Sequence, residues 1–135
     1  MLNLIIPFKL LSYNQYYRNS RTGKRIKTGA GHAYDEELGL FLEDNTAVLE
    51  SFRKGFDLSN NILEFKIHNY NSNYYIKDGS RLNQRSGDID NYVKVLQDKL
   101  FKAIGIDDYL VKKLIVEEYP SDTDYAKIEL NLLSR

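Results

Sequence analysis

The stretch SGDIDNYVKVLQDKLFKAIGIDD, residues 86–108, sets a helical period between two pairs of aspartates. Val93, Leu96, Leu100, Phe101 and Ile104 recur every three or four residues, which predicts an amphipathic helix opening at Asp90 and ending at Gly105. Downstream, YLVKKLIVEEY (109–119) and YAKIELNLL (125–133) read as strands, and the PSDTD between them predicts a hairpin. Upstream, NILEFKIHNY (61–70) alternates, with Leu63, Phe65 and Ile67 on one face, and reads as another strand.

DEELGLFLEDNTAVLESFRKG (35–55) reads as a second helix. Asp35, Glu36 and Glu37 suit the positive end of its dipole, Arg53 and Lys54 the other end, and Gly55 a glycine cap. Leu38, Phe41, Leu42, Val48, Leu49 and Phe52 keep helical spacing, with Gly39 and Asn45 as weak points. Residues 2–10 form an apolar run whose Pro7 belongs at a strand edge or end. Two polar segments, 12–34 and 71–87, read as loops, the first long enough to suggest a function. The order is β-α-β-α-β-β: a single α+β domain over residues 1–135, a mixed sheet with helices packed on it.

A chain of 135 residues supports one modest core, and 42% apolar residues suit a folded protein. The absence of cysteine removes disulfides, thiolate zinc sites and cysteine nucleophiles together. No apolar run approaches the ~18 residues of a membrane span. The opening MLNLIIPFKLL lacks a basic lead and a cleavage site, so it reads as a strand of a cytoplasmic protein with no membrane partner. Net charge is zero, yet six Lys or Arg residues precede Asp35 without a single acid among them. Arg18, Arg21, Lys24, Arg25 and Lys27 crowd into ten positions, a distribution that total charge conceals.

Each aspartate of the quoted stretch has an ordinary reading. Asp88 or Asp90 can cap the helix, and Asp107 and Asp108 can be solvated turn acids. Together they ask for more, because one cap suffices and Asp88 and Asp90 project to the same side of an extended segment. Two carboxylates so placed repel unless a cation lies between them, and Mg²⁺ suits such a site. Lys94 stands one turn after Asp90. It forms either a surface pair with Asp90 or a cation beside a metal–phosphate centre, and on chemistry alone the two readings stand level. A helix over 91–103 is about 20 Å long. Asp107 and Asp108 have a reach of roughly 7–14 Å for the return to Asp88 and Asp90. Either the helix is shorter or tilted, or another segment or subunit completes the cluster.

The order DIDN, a lysine three residues on, a helix, Gly, then DD before a strand resembles the RusA-type Holliday junction resolvases of bacteria and their phages. The opening strand with proline, followed by YNQYYR and a basic Gly-containing loop, is similar to the start of that family. The resemblance implies that Asp88 and Asp90 are the paired metal-binding aspartates, with Asn91 following them as in the family. It implies that Lys94 is the catalytic lysine and Asp108 the third metal-binding acid, with Asp107 beside it. Only Ile106 separates Gly105 from the pair, a shorter gap than the family's, so Asp107 and Asp108 both stand as candidates.

The implied activity is Mg²⁺-dependent (or Mn²⁺-dependent) cleavage of four-way DNA junctions by a homodimer, in recombination and repair. A C2 dimer suits the two-fold symmetry of the junction. Arg18, Arg21, Lys24, Arg25 and Lys27, with Lys77, Arg81, Arg85 and Asn91, would then contact DNA, the basic residues through phosphates that carry little sequence information. Tyr13, Tyr16 and Tyr17 either stack on unpaired bases or line a core edge or dimer interface, the commoner use of tyrosine. His32 and His68 have no ligand spacing. The rival reading is a non-catalytic DNA-binding accessory protein of phage recombination or replication. A pure binder, however, has no need of clustered acids that repel phosphate. No serine lies in a recognisable nucleophile motif, which disfavours a metal-independent hydrolase.

Overall fold

The computed structural model describes residues 1–72, 76–77, 81–82 and 89–135, with the backbone alone at 76–77, 81–82 and 89–90. Its elements are β1 (Leu2–Ile6), α1 (Tyr13–Tyr16), β2 (Tyr17–Asn19), β3 (Arg25–Lys27), α2 (Gly29–Asp44) and α3 (Thr46–Gly55). Then come β4 (Asn61–Asn71), β5 (Ile76–Lys77), β6 (Arg81–Leu82), α4 (Ile89–Ile104), a 3-10 turn (Asp108–Leu110), β7 (Val111–Pro120) and β8 (Tyr125–Ser134). This is the expected α+β domain with a mixed sheet, though with more elements than the simple β-α-β-α-β-β order.

Four strands form the main sheet in the order β1-β8-β4-β7. β8 runs antiparallel to both β1 and β4, and β7 runs parallel to β4. The expected hairpin of β7 with β8 is therefore wrong, because β4 lies between them. Two strand spacings are about 10 Å, which the link over 121–124 spans easily. Its Asp124 carboxylate accepts the backbone N–H of Ser72 (2.7 Å), just beyond the end of β4. Burial demand decides the order. β8 offers Ala126, Ile128 and Leu130, all fully buried, to the core, whereas β7 carries Lys112, Lys113, Glu117 and Glu118 and suits an edge.

The helices cover one face of the sheet, where Leu2, Leu4, Ile6, Leu63, Phe65 and Ile67 meet the buried stripe of α4. Phe65 and Phe101 touch edge to face, 5.4 Å between centroids. The expected stripe of Val93, Leu96, Leu100, Phe101 and Ile104 is buried in full, and Gly105 ends the helix at φ +84°. The opposite face carries an ion-pair network in which Glu64 meets Lys66 and Lys113.

The expected helix over 35–55 is two helices. At Asn45 the chain leaves helical geometry (φ −110°, ψ 17°), and the Asn45 side chain donates to the Phe41 carbonyl (2.8 Å), satisfying a helix end. The break turns Val48 out to 45% exposure, although its spacing placed it in the apolar stripe. The first helix also begins six residues early, at Gly29, so Asp35 is not a first-turn acid. Its cap is Thr28, whose side chain accepts the Gly31 N–H (2.9 Å). Gly55 is the last residue of α3, with no positive φ, and does not act as a left-handed cap.

The expected loop over 12–34 is organised throughout. α1 leads into an antiparallel ladder in which Tyr17 pairs with Lys27, Arg18 with Ile26 and Asn19 with Arg25. The polar segment 71–87 likewise contains a short ladder, Ile76 with Leu82 and Lys77 with Arg81.

Candidate active site

The hairpin of β2 and β3 is mostly polar and cannot hold itself in place by burial. It is fastened at its base. The backbone N–H of Thr28 donates to the Tyr16 carbonyl (2.9 Å), and the Thr28 hydroxyl to the Gln15 carbonyl (2.6 Å). Gly31 permits this approach, since a Cβ there would lie 2.5 Å from the Tyr16 carbonyl oxygen. One carboxylate then joins four elements. Asp35 on α2 accepts from the Tyr16 hydroxyl (2.7 Å), from the Lys27 ammonium, and from the Lys99 ammonium on α4 (3.2 Å). Burial alone would raise the Asp35 carboxyl, but the bonds from Lys27, Tyr16 and Lys99 outweigh it and hold the group below the usual range. The Tyr16 phenol is pushed up to about 12, by burial first and then by the Asp35 carboxylate.

Fastened there, the hairpin brings cations to the first half of α4. The Arg25 guanidinium lies 4.7 Å from the centre of the Tyr13 ring, and the Lys94 ammonium lies 5.2 Å from the same ring. Both distances are within cation–π range. Tyr13 and Tyr17 pack together at 5.0 Å, and Tyr16 and Tyr17 at 4.6 Å. Of the two readings for these tyrosines, packing accounts for Tyr16, which is buried, while Tyr13 and Tyr17 stay half-buried beside exposed arginines. Arg18, Arg21, Lys24 and Arg25 are exposed, whereas Lys27 is largely occupied by Asp35.

The acids of the quoted stretch divide. Asp90 belongs to the first turn of α4, and its side chain lies outside the described residues, as do Asp88 and Arg85 entirely and the side chains of Lys77 and Arg81. Asn91 is half-buried in that same turn, and Lys94 is exposed one turn on. Asp107 caps the 3-10 turn, accepting the backbone N–H of Tyr109 (3.1 Å). Asp108 is half-buried and faces α4, where the Gln97 amide donates to it at 3.4 Å. Positions 94 and 97 lie about 60° apart around a helix, so Asp108 approaches the side of α4 that carries Lys94. It meets that side about 10 Å along the axis from position 90. Asp108 therefore returns to the middle of the helix rather than to its start, while Asp107 stays exposed on the turn. Among the described residues, no three His, Asp or Glu gather into a metal-holding group.

Sequence reasoning missed the Asp35 network and the Tyr13 contacts. One signal was present: Asp35 is the first acid after 34 residues that contain none. An isolated acid after a run of cations is a natural place to look for their shared partner.

The family model of the endodeoxyribonuclease RusA matches residues 7–132, nearly the whole chain. The chain belongs to the RusA family. RusA-family proteins are endodeoxyribonucleases that resolve Holliday junctions, so the chain is a nuclease of the class that acts on branched DNA. No curated protein matches it. No helix among the described residues is long and apolar enough to cross a membrane. The match takes in both the basic hairpin and α4, so the two parts of the candidate site fall inside the RusA-family region.

Proposed function

We propose that the chain is a Mg²⁺-dependent resolvase that acts as a homodimer in the cytoplasm on four-way junctions, in bacterial or phage DNA recombination and repair. The observation that supports this reading is the joining of an exposed basic hairpin to the Lys94 turn of α4 through the Tyr13 ring, with Asp108 against the next turn of the same helix. On this reading, the groups that would grip phosphate are neighbours of those that would cleave it.

The donors fit a hard cation. The Asp108 carboxylate has a single long hydrogen bond among the described residues, which leaves oxygen lone pairs free, and carboxylate oxygens suit Mg²⁺ or Mn²⁺. Asp88, Asp90 and Asp108 would hold the ion, with Asp107 supporting Asp108 by shaping the turn. When bound, the ion supplies Lewis-acid polarisation of the scissile phosphate and a more acidic water. The chain's own residues do the rest. Lys94 stabilises charge that builds on the phosphate oxygens. Arg18, Arg21, Lys24 and Arg25, with Asn91 at the start of α4 and Lys77, Arg81 and Arg85 in the segment before it, orient the strands around the cut. Their phosphate contacts read shape and carry little sequence information.

The test is cleavage of a synthetic mobile four-way junction with Mg²⁺, beside linear duplex and Asp90→Asn protein. Paired nicks at the junction, absent in the variant and without metal, are expected. Equal cutting by the variant would refute the metal-site assignment. Tight binding with no cutting in either Mg²⁺ or Mn²⁺ would favour the accessory-protein reading instead.

A further inference from the structure

Tyr13 is not one of the family-matched catalytic positions, yet its ring is approached by two cations from different parts of the chain. Arg25 comes from β3, at 4.7 Å from the ring centre, and Lys94 comes from α4, at 5.2 Å. Two like charges do not gather on one ring for their mutual benefit. The ring offsets part of their repulsion, and an anion received beside both would offset more. The rest of the local structure is built to keep Tyr13 in place. α1 is a single turn, too short to be stable alone, and it is clamped on both sides. Tyr16 is tied to Asp35, and Asp35 is tied to Lys99 on the same helix as Lys94. The Tyr13 ring packs on Tyr17, which opens β2.

We propose that Tyr13 is a positioning residue for Lys94. The ring holds the lysine ammonium toward the scissile phosphate and couples its placement to the docking of the basic hairpin through Arg25. An exposed lysine on a helix samples many rotamers, and only a fraction of them point at one phosphate. A ring face at cation–π distance narrows that set before DNA arrives. When the hairpin grips the phosphate backbone, Arg25 and Lys94 act on neighbouring oxygens as one unit. The inference rests on the nuclease reading of Lys94, and the experiment separates the two.

Tyr13→Met keeps apolar bulk against Tyr17 and removes the ring, whereas Tyr13→Phe keeps the ring and removes only the hydroxyl. Single-turnover cleavage of the junction by Tyr13→Met is expected to fall about tenfold, with junction affinity within about threefold of wild type. Tyr13→Phe is expected to restore the rate. On a Lys94→Ala background, Tyr13→Met should cost less than about twofold, because the lysine through which it acts is gone. An equal loss in both backgrounds, or an unchanged rate in Tyr13→Met, would overturn the proposal.

A second readout needs no activity. In protein carrying ¹³C-labelled lysine, the Lys94 ε-methylene protons should resonate upfield under the ring current in wild type and Tyr13→Phe, and return to the ordinary lysine position in Tyr13→Met. Absence of that upfield shift in the folded wild type would overturn the proposal by itself. A protein that shows the shift but cuts no DNA would retain the geometry and defeat the nuclease reading of Lys94 instead.

Discussion

Replacing Asp35 by Asn tests the joint that holds the basic hairpin against the helices. The carboxylate is 14% exposed and accepts from Tyr16, Lys27 and Lys99. An amide oxygen keeps one of these bonds in neutral form, and the amide N–H groups face donors, so two charge-assisted bonds are lost. Each contributes about 1.5–3 kcal/mol. The two lysines are each about a third exposed and regain hydration when released, which offsets roughly half of that loss. The expected destabilisation is about 2 kcal/mol, or a fall in Tm of roughly 6–10 °C for a chain of this size. The pH dependence gives a second signature. The folded-state carboxyl is held below its ordinary value, so its contribution is complete above about pH 4 and drains away as pH falls further. Urea unfolding at pH 7 and near pH 3 should therefore show a gap between wild type and Asp35→Asn that narrows in acid. A variant within about 0.5 kcal/mol of wild type at pH 7, or a gap unchanged at pH 3, would refute the reasoning.

Three further outcomes are expected. Asp108→Asn should lower metal-dependent cleavage by two orders of magnitude or more, whereas Asp107→Asn, which keeps an oxygen to accept the Tyr109 N–H, should lower it less than about tenfold; a reversal in single-turnover assays would exchange their roles. Gly31→Ala should destabilise the fold by about 2 kcal/mol or more in urea unfolding, because its Cβ meets a backbone oxygen at 2.5 Å and α1 must move away; unfolding indistinguishable from wild type would show that α1 yields freely. Arg18, Arg21 and Lys24 changed together to Ala should weaken junction binding and flatten the slope of log K against log salt by about 2–3; an unchanged slope would remove this hairpin from the phosphate contacts.

How much of this was legible in the sequence depends on how each element is stabilised. α4 and the core strands announce themselves because they are held by burial, which imposes a period: Val93 to Ile104 at helical spacing, Leu63, Phe65 and Ile67 at strand spacing. α1 and the β2–β3 hairpin gave no such signal. They are held by Asp35, Thr28 and the missing Cβ of Gly31, partners up to 19 residues away that leave no mark on local periodicity. The strand order was hidden for a different reason. A four-residue link serves a tight hairpin or a hop over β4 equally well, and only the burial demands of β8 against β7 decide between them. At the site, α4 with Lys94 could be placed from sequence, but the difference between Asp107 as cap and Asp108 facing α4 depends on how the 3-10 turn packs.

The position of β8 between β1 and β4 has a consequence for how the protein comes into being. β8 is the last of this sheet's strands to be synthesised, and among the described residues β1 has no neighbour in the sheet but β8. Until residues 125–134 emerge, β1 has no partner, β4 has one open edge, and the apolar face of α4 has only part of a surface to cover. The ordering cost of loops spanning tens of residues must be met before any of these pairings stabilises the chain. The fold is thus assembled late and nearly all at once, and a ribosome-bound chain lacking β8 should still be unstructured. The hairpin is anchored to helices that rest on this sheet, so the pairing of cations with acids also waits for that final strand. A nascent chain would carry its basic segment before that segment is seated, and the joining of hairpin and α4 would follow only once β8 has been made.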